Sequence, residues 1–134
     1  MKCLIICSIL LAGALAFERW GPGESECANK LNVKREEIED ISYPAPLDNI
    51  VLNDFTECRW KKRGLLSDDG EVNWDTIRNL MLSKDYMEAA RLNELDIKWV
   101  DFVNSQIDKC RNIRGDTHGQ TVVKVENCFF NSGN

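Results

Sequence analysis

Cysteine placement constrains this chain more than any other feature. Of six cysteines, Cys3 and Cys7 fall within the opening stretch MKCLIICSILLAGALA, which leaves Cys27, Cys58, Cys110 and Cys128. The opening stretch has Lys2 as a positive end, an apolar run from Cys3 to Ala12, and Ala14-Leu15-Ala16 as a small-x-small cleavage site. It reads as a secretory signal peptide over residues 1–16, cut before Phe17. The run is shorter than the roughly 20 apolar residues that a membrane anchor needs. Export places an even number of cysteines in an oxidising compartment, where they are expected to form disulfides. Three pairings are open to four cysteines. Zinc is the rival use, but no two of the four stand close together and only His118 is present to assist them.

Residues 17–134 have the length of one domain, large enough for a core and small enough to gain from covalent staples. The net charge of −5 argues against nucleic acid or an anionic membrane surface as a partner. No Asn-x-Ser/Thr acceptor occurs, so N-glycosylation is not expected.

Helix signals recur along the chain and strand signals are scarce. Ser25 is the expected cap of a first helix through Cys27 and Leu31 toward Val33, and KREEIEDI (34–41) reads as a short charged helix with Ile38 and Ile41 inward. Pro44 and Pro46 break the pattern. Asp48 or Asn49 caps a third helix whose apolar stripe is Ile50, Val51, Phe55 and Cys58. Its end carries Arg59, Lys61, Lys62 and Arg63 and then Gly64, the cation-then-glycine pattern of a helix stop. Asn73 caps WDTIRNLML, with Ile77, Leu80 and Met81 inward. A long helical region follows from about Asp85 to Ile113, with Trp99, Val100, Val103, Ile107 and Cys110 on one face. GDTHG interrupts at 115–119. QTVVKVENCFF suits a strand by its β-branched run, but Val122, Val125, Cys128 and Phe129 also share a helix face, and with no partner strand in the sequence a helix is expected. The sum is an all-α chain of about six short helices.

Several features together resemble one family. ECANKLNV, a short charged helix, YP, and DFTEC followed by GLLSDDG are similar to insect odorant-binding proteins of the pheromone- and general-odorant-binding type. Members usually carry six cysteines, the second and third four residues apart. Cys27, Cys58, Cys110 and Cys128 match the first, third, fourth and sixth, whereas Asp54 stands at the second position and Gly119 at the fifth. The second and fifth are bonded to each other in that family, so their joint absence is the mark of its four-cysteine ("minus-C") subset. The resemblance implies the pairings Cys27–Cys58 and Cys110–Cys128, a compact bundle around an apolar cavity, and non-covalent carriage of odorants, pheromones or similar small hydrophobic molecules. It further implies a secreted protein, monomeric or weakly dimeric, with a chemosensory receptor as a further partner. Without the third bridge the last helix is expected to move more freely against the third, and Asp54 is expected to be solvated or hydrogen-bonded.

The residues themselves support a carrier. Amphipathic helices in a ring can enclose an apolar cavity for a small ligand. The expected lining is Leu52, Phe55, Leu66, Ile77, Leu80, Met81, Trp99, Val103, Ile107, Val122, Phe129 and Phe130, although periodicity alone does not separate pocket wall from plain core. Met81 and Met87 would add adaptable surface. Among the other tryptophans, Trp60 is expected at the surface or an edge, Trp20 across the first helix and Trp74 in plain packing. His118 reads as a solvated loop histidine rather than a pH switch. No nucleophile–histidine signature, calcium loop, metal site or cofactor motif is present, and no catalytic residue is expected. Two alternatives are kept: a carrier of haemolymph, saliva or seminal fluid, and a saposin-like protein that acts on lipid and needs three disulfides in a different order.

Overall fold

A computed structural model describes residues 20–83 and 97–131. They form six helices: α1 Pro22–Leu31, α2 Arg35–Glu39, α3 Ile50–Lys62, α4 Trp74–Met81, α5 Ile97–Cys110 and α6 His118–Asn131. An isolated antiparallel bridge joins Leu66 to Val72. The fold is all-α, as the periodicities require. The expected signal peptide at 1–16, and the stretch of the expected long helix before Ile97, lie outside the described residues.

Local chemistry sets most helix ends. Pro22 opens α1 at its first position, and the Glu24 side chain accepts from the Gly21 backbone N–H at 3.3 Å. The cap is therefore Gly21 rather than Ser25, which lies inside the helix and receives the Trp20 indole N–H at 3.1 Å. Asn32, at a φ of 55°, ends α1 in the left-handed region that asparagine tolerates. Asn49, not Asp48, caps α3 by accepting from the Leu52 N–H at 3.1 Å, and Asn73 does the same for α4 through the Thr76 N–H at 3.2 Å.

The stop of α3 follows the sequence closely. Gly64 takes a φ of 73°, its N–H donates to the Lys61 carbonyl, and the Leu65 N–H reaches back to the Trp60 carbonyl at 2.9 Å. This Schellman arrangement brings buried Leu65 against buried Trp60. The residues QTVVKVENCFF lie within α6, whose start is capped by Thr117 accepting from the Gln120 N–H at 3.1 Å. The GDTHG interruption thus shrinks to its first three residues.

Two disulfides staple the bundle, Cys27–Cys58 between α1 and α3 and Cys110–Cys128 between α5 and α6. Closing loops of this size is worth about 3 to 4 kcal/mol each on chain-entropy grounds. The α3 helix is central, packing on both α1 and α6.

That centrality overturns the expected stripe of α3. Ile50 is 72% exposed and Val51 43% exposed, whereas Leu52, Asn53, Phe55, Thr56, Arg59 and Trp60 are buried. A helix wedged between two neighbours buries a wide arc, and here the arc is centred on Thr56 with polar residues within it. Trp60, expected at the surface, is fully buried. Its ring sits at the Schellman turn, and Arg59 beside it is buried as well, whereas Lys61 and Lys62 pair with Glu57 and Glu26 toward the surface.

Candidate functional site

The interior divides into two clusters that meet at α6. The larger joins Trp60, Leu65, Leu66, Ile77, Met81, Trp99, Val103, Ile107, Cys110, Val122, Val125 and Phe129. The smaller joins Cys27, Ala28, Ile38, Ala45, Leu52, Phe55 and Val123. Valines 122 and 123 point to opposite clusters, so α6 is the wall between them.

Of the expected lining residues, Leu66, Ile77, Met81, Trp99, Val103, Ile107, Val122 and Phe129 come together in the larger cluster. Leu52 and Phe55 fall in the smaller one. Leu80 is 38% exposed, on the outer side of α4, and Phe130 is half-buried with its ring 6.3 Å from that of Tyr43. Met87 lies outside the described residues. Trp99 stacks on Phe102 at 5.5 Å and donates its indole N–H to the Met81 carbonyl at 3.1 Å. Trp74 meets Phe129 edge-on at 6.1 Å, which is packing, and Trp20 stacks flat on Phe55 at 5.3 Å.

A half-open groove of about 320 Å³ runs along the outer side of α1 and α3, lined by Lys30, Leu31, Asp54, Glu57, Cys58, Lys61 and Lys62. None of the residues expected to line a pocket is in its wall. Asp54 is exposed there, so its carboxylate is solvated. His118 is also exposed, as the first residue of α6, with its ring against Gly70, where a β-carbon would collide with it.

Sequence reasoning missed the buried polar groups. Glu126 is wholly buried between the clusters. It accepts the Tyr43 hydroxyl at 3.0 Å and the Trp60 indole N–H at 3.2 Å, with the Arg59 charge nearby. Burial pushes the Glu126 carboxyl up from its ordinary range, against the pull of Arg59 and both donors. Tyr43 is pushed up by burial and by the carboxylate beside it, and burial pulls Arg59 down. Arg59 lies over the Phe55 ring with its guanidinium carbon at 4.7 Å.

Around this centre, the segment after α2 is clamped to α6. The Ala45 N–H donates to Asn127 Oδ1 at 2.7 Å, Asn127 Nδ2 returns to the Ala45 carbonyl at 2.9 Å, and Gln120 Nε2 reaches the Leu47 carbonyl at 2.9 Å. A signal for Glu126 was present in the sequence. It stands one turn after Val122 and one turn before Phe129, a carboxylate inside an apolar period. Gln106 interrupts the face of α5 in the same way and is 4% exposed.

Among the described residues, no three His, Cys, Asp or Glu side chains come together to hold a metal ion. Nor is any described helix long and apolar enough to cross a membrane.

These features define a small disulfide-stapled helical bundle whose apolar interior is divided in two by α6. The chain belongs to the PBP/GOBP family, whose model matches residues 18–132. No curated protein and no solved structure matches it significantly.

Proposed function

We propose that the chain is a secreted carrier that holds small hydrophobic ligands non-covalently within the larger apolar cluster. Family membership across residues 18–132 carries this reading, because the family consists of small odorant- and pheromone-binding proteins rather than enzymes. The aliphatic and aromatic chemistry of the cluster fits such ligands: Trp99, Val103 and Ile107 of α5 face Val122 and Phe129 of α6 and Ile77 and Met81 of α4. Residues 1–16 act as the export signal in this reading, and 17–134 are the carrier domain. Binding and release need no covalent step, so no cofactor takes part. A role in haemolymph, saliva or seminal fluid rests on the same carrier chemistry and differs only in the ligand and tissue.

Displacement of an uncharged fluorescent dye by a panel of volatile and fatty compounds tests the proposal. Low-micromolar dye binding with displacement by some members is the expected outcome. Failure of every apolar probe to bind would sink it, and leakage from liposomes would favour a saposin-like action on lipid.

A further inference from the structure

The inward face of α5 holds one polar residue that the fold does not use for itself. Gln106 shares that face with Trp99, Val103 and Cys110, which recur at helical spacing and are all buried. Its amide oxygen Oε1 is fully enclosed and meets no hydrogen-bond donor among the described residues. A buried acceptor without a partner forfeits its hydration and gains nothing in return, so such groups are rare in folded proteins and require an explanation. Leucine or methionine would fill the same space without that penalty.

The neighbouring polar group is already engaged, since the Trp99 indole N–H is held by the Met81 carbonyl at 3.1 Å. Asn53 Oδ1 is likewise unpaired, but Asn53 serves the packing of the bundle. Its Nδ2 holds the Leu47 carbonyl at 3.1 Å and its backbone abuts Gly119. Gln106 has no comparable structural role.

We propose that Gln106 is the specificity-determining residue of the interior site, its Oε1 accepting a hydrogen bond from the hydroxyl of an otherwise apolar alcohol. This rests on the carrier reading above. An enclosed acceptor selects donors. A hydrocarbon offers none, an ether or ketone brings only a second acceptor, and a carboxylate brings a charge that burial penalises. An alcohol supplies one hydrogen to Oε1 and lays its apolar remainder against Trp99, Phe102 and Val103. Satisfying a buried orphan discriminates more strongly than adding apolar contact, because the wrong ligand leaves the acceptor stranded.

Competition against bound N-phenylnaphthylamine by nonanol, methyl octyl ether and nonanone, matched in size, tests this on the full secreted chain. In the wild type, nonanol should displace the dye at about tenfold lower concentration than the ether. In Gln106→Leu and Gln106→Met the two should fall within about twofold of each other, each measured against that variant's own dye affinity. Nonanol no better than the ether in the wild type overturns the assignment without reference to any variant. So does a preference for nonanone, or an alcohol preference that survives in a folded variant. If the dye itself fails to bind the wild type, the carrier reading falls and takes this assignment with it.

Discussion

Gly119 of α6 lies directly against the backbone of Asn53 in α3: a β-carbon at 119 would collide with the Asn53 carbonyl oxygen and sit 2.6 Å from its carbonyl carbon. In six-cysteine relatives this neighbourhood would carry the second-to-fifth bridge. Here Asp54 faces solvent at the first of those positions, and the two helices meet backbone to backbone beside it. Direct contact thus stands where the cross-link would be.

The contact gives Gly119→Ala an unusual sign. Alanine in place of glycine in a helix normally gains up to about 1 kcal/mol. At this position the methyl group must force α6 away from α3, and a net loss of about 2 kcal/mol is expected. Urea unfolding of the variant measures it, and a midpoint at or above that of the wild type would refute the close approach.

Hydrogen exchange offers a second reading of the same contact. Loss of a bridge alone would leave α6 loose against α3. The Gly119 contact, the Glu126 network and the clamps to Ala45 and Leu47 supply other restraints. The α6 amides from Val122 to Phe129 are therefore expected to be as protected as those of α3. Fast exchange confined to α6 would show that the restraints do not replace the bridge.

Glu126 should be the costliest polar residue to remove. Glu126→Ala strands the Tyr43 hydroxyl and the Trp60 indole N–H and takes the counter-charge from buried Arg59. A loss of about 3 kcal/mol is expected, against about 1 kcal/mol for Tyr43→Phe, which removes the bond to Glu126 but leaves the carboxylate in place. Equal midpoints for the two variants would contradict the network.

Acid stability should depend on Glu24. Burial raises its carboxyl, but the hydrogen bond and charge of Arg63 outweigh that and hold it below the ordinary value of 4.5. A depressed carboxylate contributes stability that is fully present above the ordinary value and is lost as pH falls through the lower value it has in the fold. Glu126, shifted upward, contributes with the opposite sign: its share is present at acid pH and is lost as pH rises through its raised value. The Tm of Glu24→Gln should therefore fall less than that of the wild type between about pH 5 and about pH 3. Parallel Tm curves would remove Glu24 from the account.

The face of α3 supplies a direct contrast. Ile50→Ser should change stability by less than about 0.5 kcal/mol, because Ile50 is largely in water. Leu52→Ala, two residues on and 1% exposed, should cost about 3 kcal/mol. Comparable losses for both would restore the stripe that periodicity suggests.

The sequence by itself determined whatever depends on neighbours along the chain. The Gly64 stop, the Asn73 cap and the helical face of Val122, Val125 and Phe129 all rest on local hydrogen bonds and a 3.6-residue period. The spacing of four cysteines, read through a family resemblance, also carried the two pairings. Only the tertiary structure decided which arc of α3 is buried, why Trp60 is inside, and how Leu52 and Phe55 part from the other apolar residues across α6. It also turned Glu126 and Gln106 from interruptions of a pattern into an enclosed network and an unpaired acceptor. The physical reason is that burial is set by what packs against a helix from every side, and α3 is flanked by α1 and α6, which lie far from it in sequence or are tied to it through a disulfide. Periodicity reports that a helix has an apolar face, but the width of that face and the partners of the polar groups within it belong to the assembled bundle.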